Sequence, residues 1–282
     1  MNTILFPTDF SKNAENAFRY AKLFAKEQQA EIIVIHVYDV PLMGRTNKFT
    51  TPESSMKISE ERIKKHSLIQ CQKLLERNGI PPTSSNCVLK KGSVVNEIVK
   101  YAEKNKIDFV IMGTRGESNH EKFWIGSVAA EVTKKVQCPA LAIPAEAEYK
   151  DIDRILYTTD LIYSEKDVLN NLSSLARKLS AELSILHIKV NGQEENALQH
   201  KLDQIKAEID YSKLSTQIIT ARELVDGIND YIEIEKFDIL AMSTHPKSIF
   251  QKLFHQSLTT KMIFRSHIPI LVYHVKDDRA AE

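Results

Sequence analysis

Glycine is scarce in this chain. It occurs 8 times in 282 residues, under half the usual share of about 7%. That excludes collagen-like and glycine-linker character, and it makes any local cluster of glycines informative. Cysteine is scarcer still: Cys71, Cys87 and Cys138 are too few and too scattered for a disulfide framework or a zinc ribbon. They read as reduced thiols of a cytosolic protein. Neither sign of charge dominates, with 38 basic against 37 acidic residues and a net charge of +1. The broad positive field of a general nucleic-acid binder is therefore missing, and no nucleic-acid partner is expected. Long hydrophobic runs are missing too. The strongest, Ile32–Val37 and Phe109–Met112, fall far short of the roughly 20 residues that span a bilayer. The opening MNTILFPTDF reaches Asp9 after a handful of apolar residues, without the basic start and apolar stretch of an export signal. A cytoplasmic protein without membrane contact is expected.

What the chain does contain is a repeat. Residues 4–9, ILFPTD, align with 155–160, ILYTTD, at an offset of 151, and the same offset aligns AEIIVIHV (30–37) with AELSILHI (181–188). Further on, DFVIMGT (108–114) aligns with DILAMST (238–244), and CPALAIP (138–144) with IPILVYH (268–274), now at an offset of 130. The second copy thus lacks 21 residues in its middle, where the first carries an extra loop over about 40–58. A period this long is a domain duplication rather than a solenoid. The copies are set at 1–146 and 152–276, on either side of the polar stretch AEAEYKD.

Within each copy, short apolar runs alternate with helical patterns. Ile4–Thr8 is apolar; Ala14, Ala17, Tyr20, Ala21, Phe24 and Ala25 then recur at helical spacing. Ile32–Tyr38 is a continuous β-branched run, as in a strand buried on both faces. A helix over about 55–78, a strand at 86–89, a helix at 94–105, a strand at 109–112, a helix at 127–136 and a closing strand at 140–143 complete the copy. The fold class is α/β: two tandem doubly wound domains, each a five-stranded parallel sheet flanked by helices. The closing strands, Ala140–Ile143 and Ile270–Tyr273, are apolar edges that call for cover, and are expected to pair with each other.

In an open α/β sheet, ligands bind beyond the carboxyl ends of the strands where strand order reverses, usually between the first and fourth strands. The first strand ends in Pro7-Thr8-Asp9. The fourth ends in Met112, then Gly113-Thr114-Arg115-Gly116, and nine residues later Gly126-Ser127 opens a helix. Gly113 and Gly116 let backbone approach a ligand without an intervening Cβ, and successive N–H groups there can form an anion nest. Gly126-Ser127 adds a hydroxyl and free N–H groups at a helix N-terminus, where phosphate is favoured. Arg115 supplies a counter-charge. The plainer alternative is two turn glycines and a helix-capping serine; clustering in a glycine-poor chain argues for the cradle.

These residues resemble the universal stress proteins, whose nucleotide-binding members carry Gly-x-x-Gly, nine residues, then Gly-Ser or Gly-Thr. Here that reads Gly113, Gly116, Gly126 and Ser127, and ILFPTDFS and IIVIHV are also similar to the family. The resemblance implies a tandem member that binds ATP with Mg2+ and acts in stress response or regulation, ATP being an effector or slow substrate. It implies that Pro7, Thr8 and Asp9 lie against adenine and ribose and that Val37 lines the adenine pocket. Met112, Gly113, Arg115 and Gly116 would border ribose and phosphates, while Gly126, Ser127, Val128 and Ala129 would hold the phosphates. The family often has a hydroxyl where this chain has Ala129, so one contact is expected to be missing. A homodimer is compatible with the family. A nucleotide-free interaction scaffold and a slow ATPase are the competing functions.

The second copy departs from the pattern. Gly113 becomes Ser243, Gly116 becomes Pro246 and Gly126 becomes Gln256; only Ser257 persists. Pro246 removes a donor and fixes φ, both hostile to a nest, so a degenerate domain that does not bind nucleotide is expected. His36 and His187 sit at matching strand ends and read as hydrogen-bonded structural residues. The loop at 40–58 leaves the second strand beside Val37, and two readings stay open: a lid or nucleotide-sensitive partner surface, and a surface insertion without function, since long surface loops cost little stability.

Overall fold

The computed structural model describes residues 3–39, 52–114, 127–147, 149–162, 164–189, 194–244 and 258–275, with backbone alone for 52–59 and 263–264. The chain divides into two compact units, residues 1–136 and 137–282.

The first unit runs β1 (Thr3–Pro7), α1 (Lys12–Gln28), β2 (Glu31–Tyr38), α2 (Pro52–Arg77), β3 (Cys87–Lys91), α3 (Val94–Lys104), β4 (Phe109–Gly113) and α4 (Ser127–Lys135). The strands pair in the order β3-β2-β1-β4, all parallel. Ile4, Leu5 and Phe6 are all fully buried, so β1 is covered on both faces, as a parallel sheet requires. Along α1, Ala14, Ala17, Phe18, Ala21 and Phe24 form the buried stripe. Its small residues let the helix approach closely, and its aromatics fill the remaining space. Phe6 meets Phe18 edge to face at 4.9 Å, and Phe24 meets Phe109 at 5.5 Å. Ser11 caps α1 by accepting from the Ala14 N–H at 3.2 Å.

α2 begins at Pro52, a residue suited to the first helical position, where its missing N–H has no partner to lose. Residues 52–58 are therefore helical rather than part of the extended loop expected at 40–58. The rest of that loop lies outside the described residues.

The second unit runs β5 (Ala140–Ile143), β6 (Arg154–Thr158), α5 (Lys166–Leu179), β7 (Glu182–Lys189), α6 (Glu195–Glu208), β8 (Leu214–Thr220), α7 (Leu224–Glu235), β9 (Ile239–Thr244), α8 (Leu258–Arg265) and β10 (Ile270–His274). Five strands are parallel in the order β10-β9-β6-β7-β8. β5 lies antiparallel along the other side of β10, with Ala140, Leu141 and Ala142 opposite Val272, Leu271 and Ile270. All of these side chains are buried. Residues 140–143, which the repeat assigns to the first copy, thus group with the second unit, because they cover the edge of β10. Among the described residues, no helix is long and apolar enough to cross a membrane.

Candidate functional site

The turn after β1 is held by its own side chains. Thr8 continues the strand, its N–H donating to the Ile35 carbonyl at 3.0 Å. Its Oγ1 then accepts from the Phe10 N–H at 2.9 Å, and Asp9 Oδ1 accepts from the Ser11 N–H at 3.1 Å. These bonds hold Phe10 at φ +64°, a conformation that costs about 1–2 kcal/mol for a residue with a Cβ. From β2, His36 Nδ1 donates to the Thr8 carbonyl at 2.8 Å, and its ring lies 4.7 Å from that of Phe10. The result is a rigid loop with Pro7 buried, Thr8 half-buried and Asp9 exposed, so a carboxylate faces solvent at the end of β1.

β1 and β4 are neighbours in register, Ile4 with Phe109 and Leu5 with Val110. Continuing that register brings Pro7 beside Met112 and Thr8 beside Gly113. Met112 is buried and packs in the core, whereas Gly113 is half-buried. A Cβ on Gly113 would stand 3.4 Å from the Asn13 carbonyl and 3.7 Å from Ala17 Cβ. The first turn of α1 therefore overhangs the end of β4, and only a bare backbone fits there with ease. Val37 is half-buried at the end of β2. Beyond it, Glu60 of α2 takes hydrogen bonds from Tyr38 (3.4 Å) and Lys91 (2.9 Å) and pairs with Lys64 (3.1 Å). The two lysines hold its carboxyl below the usual range, while the bonds from Tyr38 and Lys91 tie α2 to the ends of β2 and β3.

Ser127, Val128 and Ala129 make the first turn of α4. Ser127 is half-buried, Val128 exposed and Ala129 buried, so Ala129 can offer a ligand only backbone. Arg115, Gly116 and Gly126 lie outside the described residues. Among the described residues, no group of three His, Cys, Asp or Glu side chains is placed to hold a metal ion.

The same turn is built again in the second unit. Leu161 takes φ +58°; its N–H donates to Thr159 Oγ1 at 3.0 Å, and the Ile162 N–H donates to Asp160 Oδ1 at 3.0 Å. His187 Nδ1 donates to the Thr159 carbonyl, again at 3.0 Å. What differs is Glu165. It is buried, and it accepts from Thr159 Oγ1 at 2.5 Å and from Ser243 Oγ. Sequence reading passed over Glu165. The available signal was the offset of 151, which sets it on Ala14, a position on the buried stripe of α1.

The model of the universal stress protein family matches residues 1–144, and the chain belongs to that family. Universal stress protein MJ0531 of Methanocaldococcus jannaschii is 35% identical over 144 residues, covering 50% of this chain and 80% of the relative. Universal stress protein Slr1230 of Synechocystis is 23% identical over 296 aligned positions, covering 97% of this chain and 100% of its own. The crystal structure of a universal stress protein from Archaeoglobus fulgidus aligns with a TM-score of 0.69 and 23% identity, over 98% of this chain and 97% of that one. These two full-length likenesses establish the tandem α/β fold.

Proposed function

We propose that the first unit binds ATP with Mg2+ and that the chain is a nucleotide-responsive universal stress protein acting in stress response or regulation. The observation that carries this reading is the placement of Gly113. It ends β4 directly beside the Thr8-Asp9 turn, under the overhang of α1. From there Gly116, Gly126 and Ser127 follow at the spacing of the family's nucleotide-binding members. Asp9 suits the hydroxyl and amino groups of a nucleoside, since an exposed carboxylate accepts hydrogen bonds. Gly116, Gly126 and the N-terminus of α4 suit phosphate, through backbone N–H groups and the helix dipole. Mg2+ would arrive on the phosphates. The second unit serves as a built-in partner rather than a second nucleotide site.

Mass spectrometry of ligand released from purified protein, together with calorimetric titration of Mg-ATP, tests the reading. ATP should bind the wild-type chain, and Gly116→Leu should weaken binding at least tenfold by filling the space the phosphates need. A wild-type chain that binds no ATP, or a Gly116→Leu variant that binds it normally, would sink the proposal.

A further inference from the structure

The two copies differ at the amino end of their second strands, the end of each sheet opposite the Thr8 and Thr159 turns. Val34 stands opposite Cys87, and its counterpart Ile185 stands opposite Thr216. The segments leading into these third strands therefore correspond at an offset of 129, which sets Ile80 on Ile209, Pro82 on Tyr211 and Ser85 on Leu214. In the second copy this segment closes over the sheet. β8 starts at Leu214, the Tyr211 hydroxyl donates to the Ala181 carbonyl, and the Arg177 guanidinium stands 5.6 Å from the centre of the Tyr211 ring. Ala176, Ala181, Ile209 and Leu214 are all buried. In the first copy Pro82 and Ser85 supply neither a phenol nor an aliphatic chain, and β3 starts only at Cys87. Ala25, Ala30 and Ile80 are left half-buried. A cleft of about 620 Å³ remains there, against about 380 Å³ beside Arg177 and Tyr211 in the second copy.

That volume falls within the range of small-molecule sites, roughly 300–1,000 Å³. Ala25, Ile32 and Ile80 line it with apolar surface, and the exposed Lys22 and Lys26 border it together with Glu31. Among the described residues neither lysine is in an ion pair, and no side chain donates to the Ala30 carbonyl. Lys26 is the counterpart of Arg177, so a cation stands where the second copy holds one over a phenol ring. The cleft is also preformed: Asn86 Oδ1 accepts from the Thr83 N–H at 2.7 Å and its Nδ2 donates to the Pro81 carbonyl at 3.0 Å, which fixes the turn before β3. We propose that this cleft is a binding site for a small phenolic carboxylate. The ligand's ring takes the place that Tyr211 fills in the second copy, its hydroxyl donates to the Ala30 carbonyl, and its carboxylate is drawn by Lys22 and Lys26. The site lies at the opposite end of the first sheet from the nucleotide site and does not depend on that reading.

Titration of the ¹⁵N-labelled full chain with N-acetyltyrosine, followed by NMR, tests it. Saturable shifts should appear at the amides of Ala25, Ala30, Ile32 and Ile80. N-acetylphenylalanine, which lacks the hydroxyl, should bind about 2- to 10-fold more weakly, the loss of one hydrogen bond. N-acetyltyrosinamide, which lacks the carboxylate, should also bind more weakly. Pro82→Tyr supplies the ring from the chain itself, as the second copy does, and should abolish the shifts. Lys26→Glu, an exposed change that leaves the fold alone, should weaken binding several-fold and keeps the test open if Pro82→Tyr does not fold. No saturable shift at these amides overturns the proposal. Equal binding of the three probes, or wild-type binding by Lys26→Glu or by a folded Pro82→Tyr, overturns it as well.

Discussion

His36 Nδ1 donates to the Thr8 carbonyl at 2.8 Å, and 151 residues later His187 makes the same bond to Thr159 at 3.0 Å. Because a carbonyl only accepts, each ring carries its proton on Nδ1. The second strand of each copy thereby clamps the end of the first, just before a residue held in the left-handed region. In the first unit this clamp fixes the turn that presents Asp9.

His36 is therefore a positioning residue. His36→Leu should cost about 0.5–1.5 kcal/mol of stability and weaken Mg-ATP several-fold. His36→Asn, whose amide nitrogen can stand near Nδ1, should retain most of both. Denaturant titration and calorimetry on the two variants check this. Wild-type affinity in His36→Leu would remove the positioning role.

Gly227 sits within α7, where a Cβ would stand only 2.4 Å from Ala221 Cβ. Overpacking of this kind costs about 1–3 kcal/mol. Gly227→Ala should lower the stability of the chain by that order, although alanine is the better helix former. Adding Ala221→Gly should recover most of the loss. Thermal melts of the single and double variants decide it, and an unchanged melt for Gly227→Ala would contradict the packing.

Tyr273 lies buried in β10, and burial raises its phenol well above the ordinary value of 10.0. The unfolded phenol ionises near 10, so the folded state holds this proton more tightly. Its contribution to stability is fully present below about pH 10 and falls as pH rises through and beyond that value, by up to about 1.4 kcal/mol per unit. Tyr273→Phe should flatten that part of the alkaline decline. Urea titrations at about pH 9 and about pH 11 measure it; equal slopes for variant and wild type would refute it.

Leu141 and Leu271 stand opposite each other in the antiparallel pair of β5 and β10. Directly opposed residues in such a pair have Cβ atoms about 4.5–5.5 Å apart. The double variant Leu141→Cys, Leu271→Cys should form a disulfide within one chain under mild oxidation. Mass spectrometry of non-reduced peptides shows the link, and a bond found only between chains would contradict the pairing.

Much of this fold was legible because its strands are buried on both faces. Ile32–Val37 and Phe109–Met112 read as strands from unbroken apolar runs, and the offset of 151 found the paired histidines before any contact was known. The start of α2 was missed by three residues, although Pro52 carried the signal of a first helical turn. The late start of α5 was harder. A glutamate at the head of a helix ordinarily reads as a partner for the helix dipole, and nothing in its neighbours says that it turns inward. Among the described residues, Thr159 and Ser243, which are distant in sequence from one another, both donate to the buried Glu165. The union of β5 with β10 was foreseeable as a need for edge cover, but its register depends on residues 130 apart.

The central claim is that nucleotide binds at the β1–β4 end of the first unit and not at the corresponding end of the second. Hydrogen–deuterium exchange on the full chain, with and without saturating Mg-ATP, tests this most directly. The account predicts slowed exchange at the backbone amides of residues 8–12 and 127–130, with residues 159–165 and 243–244 unchanged. Protection at 159–165, or no protection at 8–12, would contradict it.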